Sequence, residues 1–284
     1  LNIMFKILDE EQPEYLTLTF DVHAPTFRHK MYADYKGTRK PMAEELRQQV
    51  PVIKDVLRAM NIEIIEKEGL EADDVLGTIS HMCEAEGMDV SIISGDRDTL
   101  QLATEHVKIR IPKTKQGKTE VEDYNAGDVI EKYGVTPKEF IDVKALMGDA
   151  SDNIPGVPGV GEKTATKIIQ DYHSIENAYE HADELKPPRA SRNLKEYWEQ
   201  AKMSKVLATI DTHADIDFDI EKARHGDMYT KEAHELFQRL QFKNMLSRFD
   251  VEASANEIER AFCEVTDKDE IGKIFSEAAQ AECV

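Results

Sequence analysis

The spacing of apolar residues divides the chain into an opening stretch where strands and helices alternate and a later stretch of helices alone. Leu1, Met4, Phe5 and Leu8 share one face of a helix predicted over residues 1–11, which Pro13 ends. Residues 15–20 alternate leucine and β-branched threonine between two aromatic residues and predict a buried strand finishing at Asp21. A polar, basic segment occupies 26–40, after which Leu46, Val50, Ile53 and Leu57 line one side of a long amphipathic helix over 43–60. Short strands are predicted over 62–65, 89–94 and 106–111, with a helix over 71–87 and a helical turn over 99–104 between them. Alternation at this interval implies an α/β fold with a mostly parallel sheet covered by helices. From Ala126 the pattern changes to helices separated by Gly, Pro and Asp turns, among them 162–172 and 229–240. The expected organisation is an α/β core over 1–125, a helical subdomain over 126–251, and a polar linker opening a third segment over 252–284.

Composition narrows the function classes. The 284 residues, 40% of them apolar, suffice for one large domain or two modest ones. No run of eighteen apolar residues occurs, so no membrane-spanning helix is expected. The first residues lack the pattern of a secretory signal. Cys83, Cys263 and Cys283 are scattered, with no CxxC pair and no histidine at zinc spacing, which predicts reduced thiols in a cytoplasmic protein. The formal charge of −20, from 36 Lys and Arg against 56 Asp and Glu, does not exclude a nucleic-acid partner. Clustered carboxylates hold cations that invert the local sign, and the distribution of charge counts for more than its sum.

Acids recur where strands end and helices begin: Asp21, then Glu71, Asp73 and Asp74, then Asp96 and Asp98, then Asp149 and Asp152. In open α/β sheets ligands bind beyond the carboxyl ends of the strands, which makes Asp21, Asp96 and Asp98 candidates for one crevice. Taken singly, each acid is as well explained by helix capping or a solvated turn. Taken together, eight carboxylates crowded into one place require cations. Oxygen ligands without His or Cys suit Mg²⁺ or Mn²⁺, and two such ions about 3.5–4 Å apart activate a water and stabilise a leaving oxygen. No segment offers the twelve-residue EF-hand loop with its sixth-position glycine.

Two further segments suit a nucleic acid. Between Thr26 and Lys40 lie Arg28, Lys30, Lys36, Arg39 and Lys40, interleaved with Phe27, Tyr32 and Tyr35. Cations contact phosphates and aromatic faces stack on unpaired bases, although such a run also suits an ordinary solvated loop. NIPGVPGVGEK over 153–163 spaces Gly156 and Gly161 like a phosphate-binding P-loop, but Glu162 stands where lysine is required and no strand precedes. The better reading is a hairpin between helices, in which the backbone at Gly156, Val157, Gly159 and Gly161 meets a DNA phosphate near a helix N-terminus. Lys163 and Lys167 follow on that helix. A second basic run, Lys186, Arg189, Arg192, Lys195, Lys202 and Lys205, extends the duplex contact or is merely a solvated face.

EADDVL over 71–76, SGDRDTLQL over 94–102, MGDASDNIPGVPGVGEKTA over 147–165 and PTFRHKMYADYKGTR over 25–39 closely resemble the 5′-nuclease domain of bacterial DNA polymerase I, within the wider flap endonuclease family. The resemblance runs in order from Leu1 to about Val251. It implies a nuclease core of the PIN type and a helix-hairpin-helix that grips duplex DNA and holds a K⁺ ion. It also implies that Asp21, Glu71, Asp73, Asp74, Asp96, Asp98, Asp149 and Asp152 form a metal-binding cluster. Lys36 and Arg39 would contact the scissile phosphate at the base of a helical arch, with Tyr35 stacking near the terminal base. The implied activity is 5′-3′ exonuclease and 5′-flap endonuclease cleavage in replication and repair. The implied protein is a monomer at the bacterial nucleoid, acting on DNA with a free 5′ end, flap or nick and on RNA primer–DNA hybrids.

FDV over 20–22 is a mild departure from the family's usual FDA. The family begins with a strand ending in an Asp-Gly pair whose aspartate also serves the metals; this sequence starts at Leu1, and a core lacking that strand is expected. Residues 262–265 read as the first strand of a following, truncated domain. Two alternatives stay open: a structure-specific DNA-binding module with impaired catalysis, and a carboxylate-bridged metalloprotein acting on small phosphorylated molecules.

Overall fold

A computed structural model describes residues 1–115, 118–249 and 271. The polypeptide packs as two units, Leu1–Gly226 and Asp227–Val284. The first opens with α1 (Asn2–Glu11), which buries Phe5, Ile7 and Leu8 and leaves Leu1 and Met4 only partly covered. Strand β1 (Thr17–Thr19) leads through α2 (Phe27–Met31) and α3 (Glu44–Ala59) to β2 (Glu63–Ile65), its parallel partner. Helix α4 (Ala72–Ala85) then packs against both β1 and β3 (Val90–Ile93). A 3₁₀ turn, Arg97–Leu102, connects β3 to β4 (Val107–Lys115), parallel to it, and β5 (Lys118–Tyr124) returns antiparallel to β4.

The strands therefore form two hydrogen-bonded sheets, a parallel pair and a mixed triplet, where one mostly parallel sheet was expected. The residues of β1 are half-buried rather than fully so. The antiparallel return through β5 is absent from the sequence reading because its sequence, KTEVEDY, is charged and only Val121 and Tyr124 carry an apolar signal. Arg110 of β4 bonds Glu10 at 2.8 Å, Glu11 at 2.7 Å and Asp123 at 2.9 Å, which pins the end of α1 to the sheet.

The helical part comprises α5 (Ala126–Tyr133), α6 (Pro137–Met147), α7 (Glu162–Tyr172), α8 (Ile175–Glu180), α9 (Pro188–Glu196) and α10 (Trp198–Ala208). Local chemistry sets these boundaries. Thr136 caps α6 by accepting from the Glu139 N–H at 3.2 Å while the Glu139 carboxylate accepts from the Thr136 N–H at 2.8 Å, with Pro137 in the first turn. One apolar cluster joins Ile92 of β3 and Ile109 of β4 to Leu146 of α6, Ile169 of α7 and Leu194 of α9. This cluster runs across the change of element type at 125/126, and the second compact unit begins at Asp227.

That unit contains α11 (Lys231–Arg239) and α12 (Lys243–Leu246), with Phe237 packed edge-on against Phe242 and Phe249. The expected strand over 262–265 lies outside the described residues. Among the described residues no helix is long and apolar enough to cross a membrane.

Helix α3 departs from its expected packing. Its apolar side is covered only near the C-terminal end, at Val56 and Leu57, while Leu46 is 52% exposed. The long helix therefore projects rather than lying on the core.

At the end of α6 two glycines cross. Gly148 has φ +75° and Gly156 φ +60°, and a Cβ at 156 would stand 2.3 Å from the Gly148 nitrogen. Only glycine permits both the left-handed backbone and this approach. Gly156→Ala is expected to cost about 2–4 kcal/mol, because neither the backbone angle nor the opposing main chain has slack. Urea unfolding measures it, and an unchanged midpoint would show that the crossing is not a constraint.

Candidate active site

The site begins at the N-terminus of α4. Asp21, just past β1, accepts a 2.8 Å hydrogen bond from the Ala72 N–H, so the strand end is tied to the first turn of that helix. Asp96 caps the turn after β3 by accepting from the Asp98 N–H at 2.9 Å. Asp149 accepts from the Ser151 N–H at 2.7 Å and the Ser151 hydroxyl at 2.6 Å, closing the turn after α6. Capping and convergence are therefore compatible. The same acids that satisfy element ends also bring charge to one region.

The convergence registers as mutual repulsion. Burial, followed by the charges of Asp96 and Asp21, pushes the Asp73 carboxyl up to about 7, against the opposing pull of Lys36. Burial likewise raises Asp98 to about 6, although Lys144 opposes it and Asp96 and Asp149 reinforce it. Lys144 of α6 stands between two acids, 2.7 Å from Asp98 and 2.5 Å from Asp149. Burial works against ionisation of Asp149, but the Lys144 and Ser151 hydrogen bonds overcome it and hold the carboxyl at about 2. Lys144 escaped the sequence reading. A cation inside the largely apolar run FIDVKALM was the available signal.

A second group gathers where the 148–156 loop meets the segment after α2. The Lys36 N–H donates to the Asp152 carbonyl at 2.8 Å, and Asn153 Nδ2 donates to the Asp34 carbonyl at 2.7 Å. Lys36 holds a left-handed φ of 55°, secured by that backbone bond. Its Nζ lies 2.9 Å from Glu71 and 3.8 Å from Asp152, while Arg39 pairs with Asp152 and donates to the Ser151 carbonyl. A cleft of about 480 Å³ opens here, lined by Asp21, His29, Lys36, Arg39 and Glu71 among others.

Several expected roles change with this geometry. Asp74 is fully buried, and its carboxylate accepts from Arg28 Nη1 and Nη2 at 2.7 Å each, from the Glu71 N–H at 3.0 Å and from the Asp211 N–H at 2.9 Å. Four bonds fill its lone pairs, so no ligand position for a metal remains. Burial opposes ionisation of Asp74, yet the Arg28 bonds and charge hold its carboxyl below the usual range.

Arg28, expected on DNA, is 2% exposed and also donates to the Leu207 and Thr209 carbonyls, so it faces inward. Tyr35, expected to stack on a base, is 3% exposed and shares its hydroxyl proton between Glu71 at 3.1 Å and Asp152 at 3.2 Å. Burial and those two carboxylates raise its pKa well above the ordinary value, so it remains a donor. Lys30 is exposed.

The hairpin divides in the same way. Val157 is buried and its N–H donates to the Leu146 carbonyl at 2.7 Å, while the Gly156 N–H donates to Ser204 at 3.1 Å. Both amides are spent on the fold. Gly159 and Gly161 are exposed, and Lys163 projects from the first turn of α7. Lys167 is paired with Asp171, and in the second basic run Lys195, Lys202 and Lys205 are paired with Asp183, Glu199 and Asp142. Among the described residues Lys186, Arg189 and Arg192 make no ion pair, and Arg189 lies against Gly159.

Among the described residues no three His, Cys, Asp or Glu side chains stand close enough to share one ion, and Lys36 and Lys144 are paired with several of the acids. In kind the donors fit a hard divalent cation: they are carboxylate oxygens, and the Asp73 carboxyl reports negative charge that the neighbouring lysine leaves uncompensated.

Two measurements test this account. Asp73 is raised from 3.8 to about 7, so the folded chain binds more protons than the unfolded one between those values, and stability falls as pH rises through the window. In chelator, Asp73→Asn is expected to gain on the wild type by up to about 4 kcal/mol from pH 4 to pH 8. A difference independent of pH would remove the repulsion. Asp74→Asn leaves the Arg28 guanidinium buried and short of its partner, which costs about 3–5 kcal/mol. Denaturant titration of that variant checks it, and near-wild-type stability would return Asp74 to the pool of free ligands.

Comparison with known proteins agrees with the architecture. Residues 1–134 match the model for the 5′-3′ exonuclease N-terminal resolvase-like domain, and 135–231 that for the 5′-3′ exonuclease C-terminal SAM fold. The chain is 41% identical to DNA polymerase I of Bacillus caldotenax over 252 residues, which covers 89% of this chain and 28% of the relative. With DNA polymerase I of Bacillus subtilis it is 40% identical over 266 residues, 94% of this chain and 30% of the relative. The chain thus spans under a third of the length of these relatives.

Among solved structures, bacteriophage T5 5′-exonuclease with bound divalent zinc superposes with a TM-score of 0.65 at 23% identity, covering 84% of this chain and 88% of that one. A T5 flap endonuclease in a pseudo-enzyme–product complex with DNA and metal ions gives 0.62 at 21%, covering 87% and 86%. The two-part fold, the consecutive matches over 1–231 and the aligned relatives agree: this chain belongs to the 5′-3′ exonuclease family.

Proposed function

We propose that this chain is a divalent-metal-dependent nuclease that hydrolyses phosphodiesters at 5′ ends and flaps of DNA. The supporting observation is the meeting of two opposed charge sets at one cleft: Asp21 and Glu71, two of the acids that together with burial lift the Asp73 carboxyl to about 7, and the cations Lys36 and Arg39. Family relatives with bound divalent ions and DNA support the same reading. The oxygen-only donor set favours two or more Mg²⁺ or Mn²⁺ ions, held by Asp21, Asp73 and Asp96 together with Glu71, Asp98, Asp149 and Asp152. Ions held there would supply a nucleophile at neutral pH and stabilise charge on the leaving oxygen.

The chain's own groups do the rest. Tyr35 keeps Glu71 and Asp152 at a fixed separation through its shared hydroxyl proton. Lys36 and Arg39, now satisfied by those carboxylates, turn to the phosphate when it enters and offset its developing charge. The exposed apolar residues Met31, Met42 and Leu46 beside Lys30 and Lys40 suit an unpaired strand passing the projecting start of α3. Duplex DNA meets the amides near Gly159 and Gly161 with Lys163, and the hairpin would also hold a K⁺ ion. On this reading the native protein acts as a monomer in the bacterial cytoplasm at the nucleoid. It removes RNA primers and damaged strands as part of a DNA polymerase I, and 1–125 and 126–251 divide the work between cutting and gripping.

The test is cleavage of a 5′-flap duplex in Mg²⁺ beside binding of the same duplex in Ca²⁺. Asp96→Asn is expected to lower the rate by orders of magnitude while sparing affinity. Lys36→Ala is expected to slow cutting by about 10²-fold with a much smaller loss of binding. Binding with no cutting by the wild-type chain would leave a DNA-binding module, and full activity in Asp96→Asn would remove the proposed site.

A further inference from the structure

We infer that His29 is a substrate-contacting residue of this cleft, donating from Nε2 to a phosphate oxygen of the strand bound there. The inference rests on the nuclease reading above and adds a residue to it. His29 lines the cleft together with Lys36, Arg39 and Glu71. Its ring stands nearly perpendicular to that of Tyr35, at 82° and 5.3 Å between centroids, so the aromatic spacer between Glu71 and Asp152 also seats the imidazole.

The tautomer follows from its other neighbour. Nδ1 lies 3.3 Å from the Thr26 backbone nitrogen and 3.0 Å from the Thr26 hydroxyl. A backbone N–H can only donate, so Nδ1 is the acceptor, and the proton of the neutral ring sits on Nε2. Thr26 is 4% exposed and caps α2, which makes this a fixed arrangement rather than a passing contact.

Nε2 has no hydrogen-bond partner among the described residues, and no buried side-chain nitrogen there lacks one, so Nε2–H is open to solvent. The other donors of the cleft differ. Lys36 and Arg39 are engaged by Glu71 and Asp152 and must exchange partners to reach a phosphate. His23 also lines the cleft, but nothing fixes its tautomer. His29 thus presents a donor already oriented and without a carboxylate to leave, which suits a non-bridging phosphodiester oxygen.

The substitutions separate the two edges of the ring. Asparagine keeps an acceptor oxygen near the place of Nδ1 and so preserves the bond from Thr26, but offers no donor where Nε2 stood. Glutamine places an amide N–H near Nε2. On a 5′-flap duplex, His29→Asn is expected to lose about tenfold in single-turnover cleavage rate or in affinity, and His29→Gln to recover most of it. A duplex carrying a neutral methylphosphonate at the contacted phosphate should lower the wild type to the level of His29→Asn and cost that variant nothing more. If His29→Asn equals the wild type on the natural duplex while Lys36→Ala is impaired, the contact is refuted and the nuclease reading stands. If glutamine fails to rescue and both variants melt at lower temperature, His29 serves only the fold. If the wild-type chain neither binds nor cuts, both readings fall together.

Discussion

Negative charge drawn from distant stretches of the chain into one region is the constraint that organises this structure. Acids that close need either protons or cations between them. Both solutions occur here: Asp73 tends toward protonation, while Lys144 stands between Asp98 and Asp149 and Lys36 between Glu71 and Asp152. The cations are graded by burial. Arg28 is sealed in with Asp74, Lys144 and Lys36 are about one-fifth exposed or less, and the Arg39 side chain is 48% exposed. Exposure sets how readily an ion pair exchanges partners, because solvent screens and replaces the outer pairs far more easily than the inner one. The inner pair is architecture, and the outer pairs are the ones free to exchange.

The inner pair also explains why α2, α4 and the end of α10 keep their relation. Arg28 reaches the Asp74 carboxylate and the Leu207 and Thr209 carbonyls, and Asp74 in turn reaches the Asp211 N–H. Around it, the loop from Gly148 to Gly156 locks onto residues 34–39 through backbone and side-chain bonds. The glycine crossing fixes one end of that loop, and the antiparallel bridge between Asp149 and Ile154 closes it. Asp149 and Asp152 therefore take their positions from the main chain, and Lys36 and Arg39 follow because their own segment is bonded to the same loop.

Much of this was legible in the sequence for a plain reason: acids at element ends, glycines at a crossing and a helix-period pattern each have a local cause. Asp96 and Asp149 close local turns, and that chemistry needs only neighbours in sequence, whereas Asp21 reaches the Ala72 N–H across the fold. Helix 162–172 was fully marked by its apolar period and by Gly161 before it. What was not legible depends on partners far along the chain. Nothing near Arg28 reveals that Asp74, Leu207 and Thr209 will enclose it, so a basic residue in a basic segment read as a DNA contact. Tyr35 looked like a stacking face for the same reason, and Val157 like an exposed hairpin residue. The exposed start of α3 misled in the other direction, since an apolar period at Leu46 and Val50 predicts a covered face whether or not anything covers it.

The total charge misleads for the same reason. Four lysines near the hairpin, Lys167, Lys195, Lys202 and Lys205, are each neutralised by a neighbouring acid, so counting basic residues overstates the surface that a phosphate would meet. Lys163, Lys186, Arg189 and Arg192 carry no such partner among the described residues, and Arg189 lies over the backbone of Gly159. A chain of net charge −20 can therefore expose a small field of free cations beside the hairpin, flanked by paired charges that contribute little at distance. Phosphate contacts scale with cations free to release counterions, not with composition. Partner choice in this fold is written in which lysines and arginines are left unpaired.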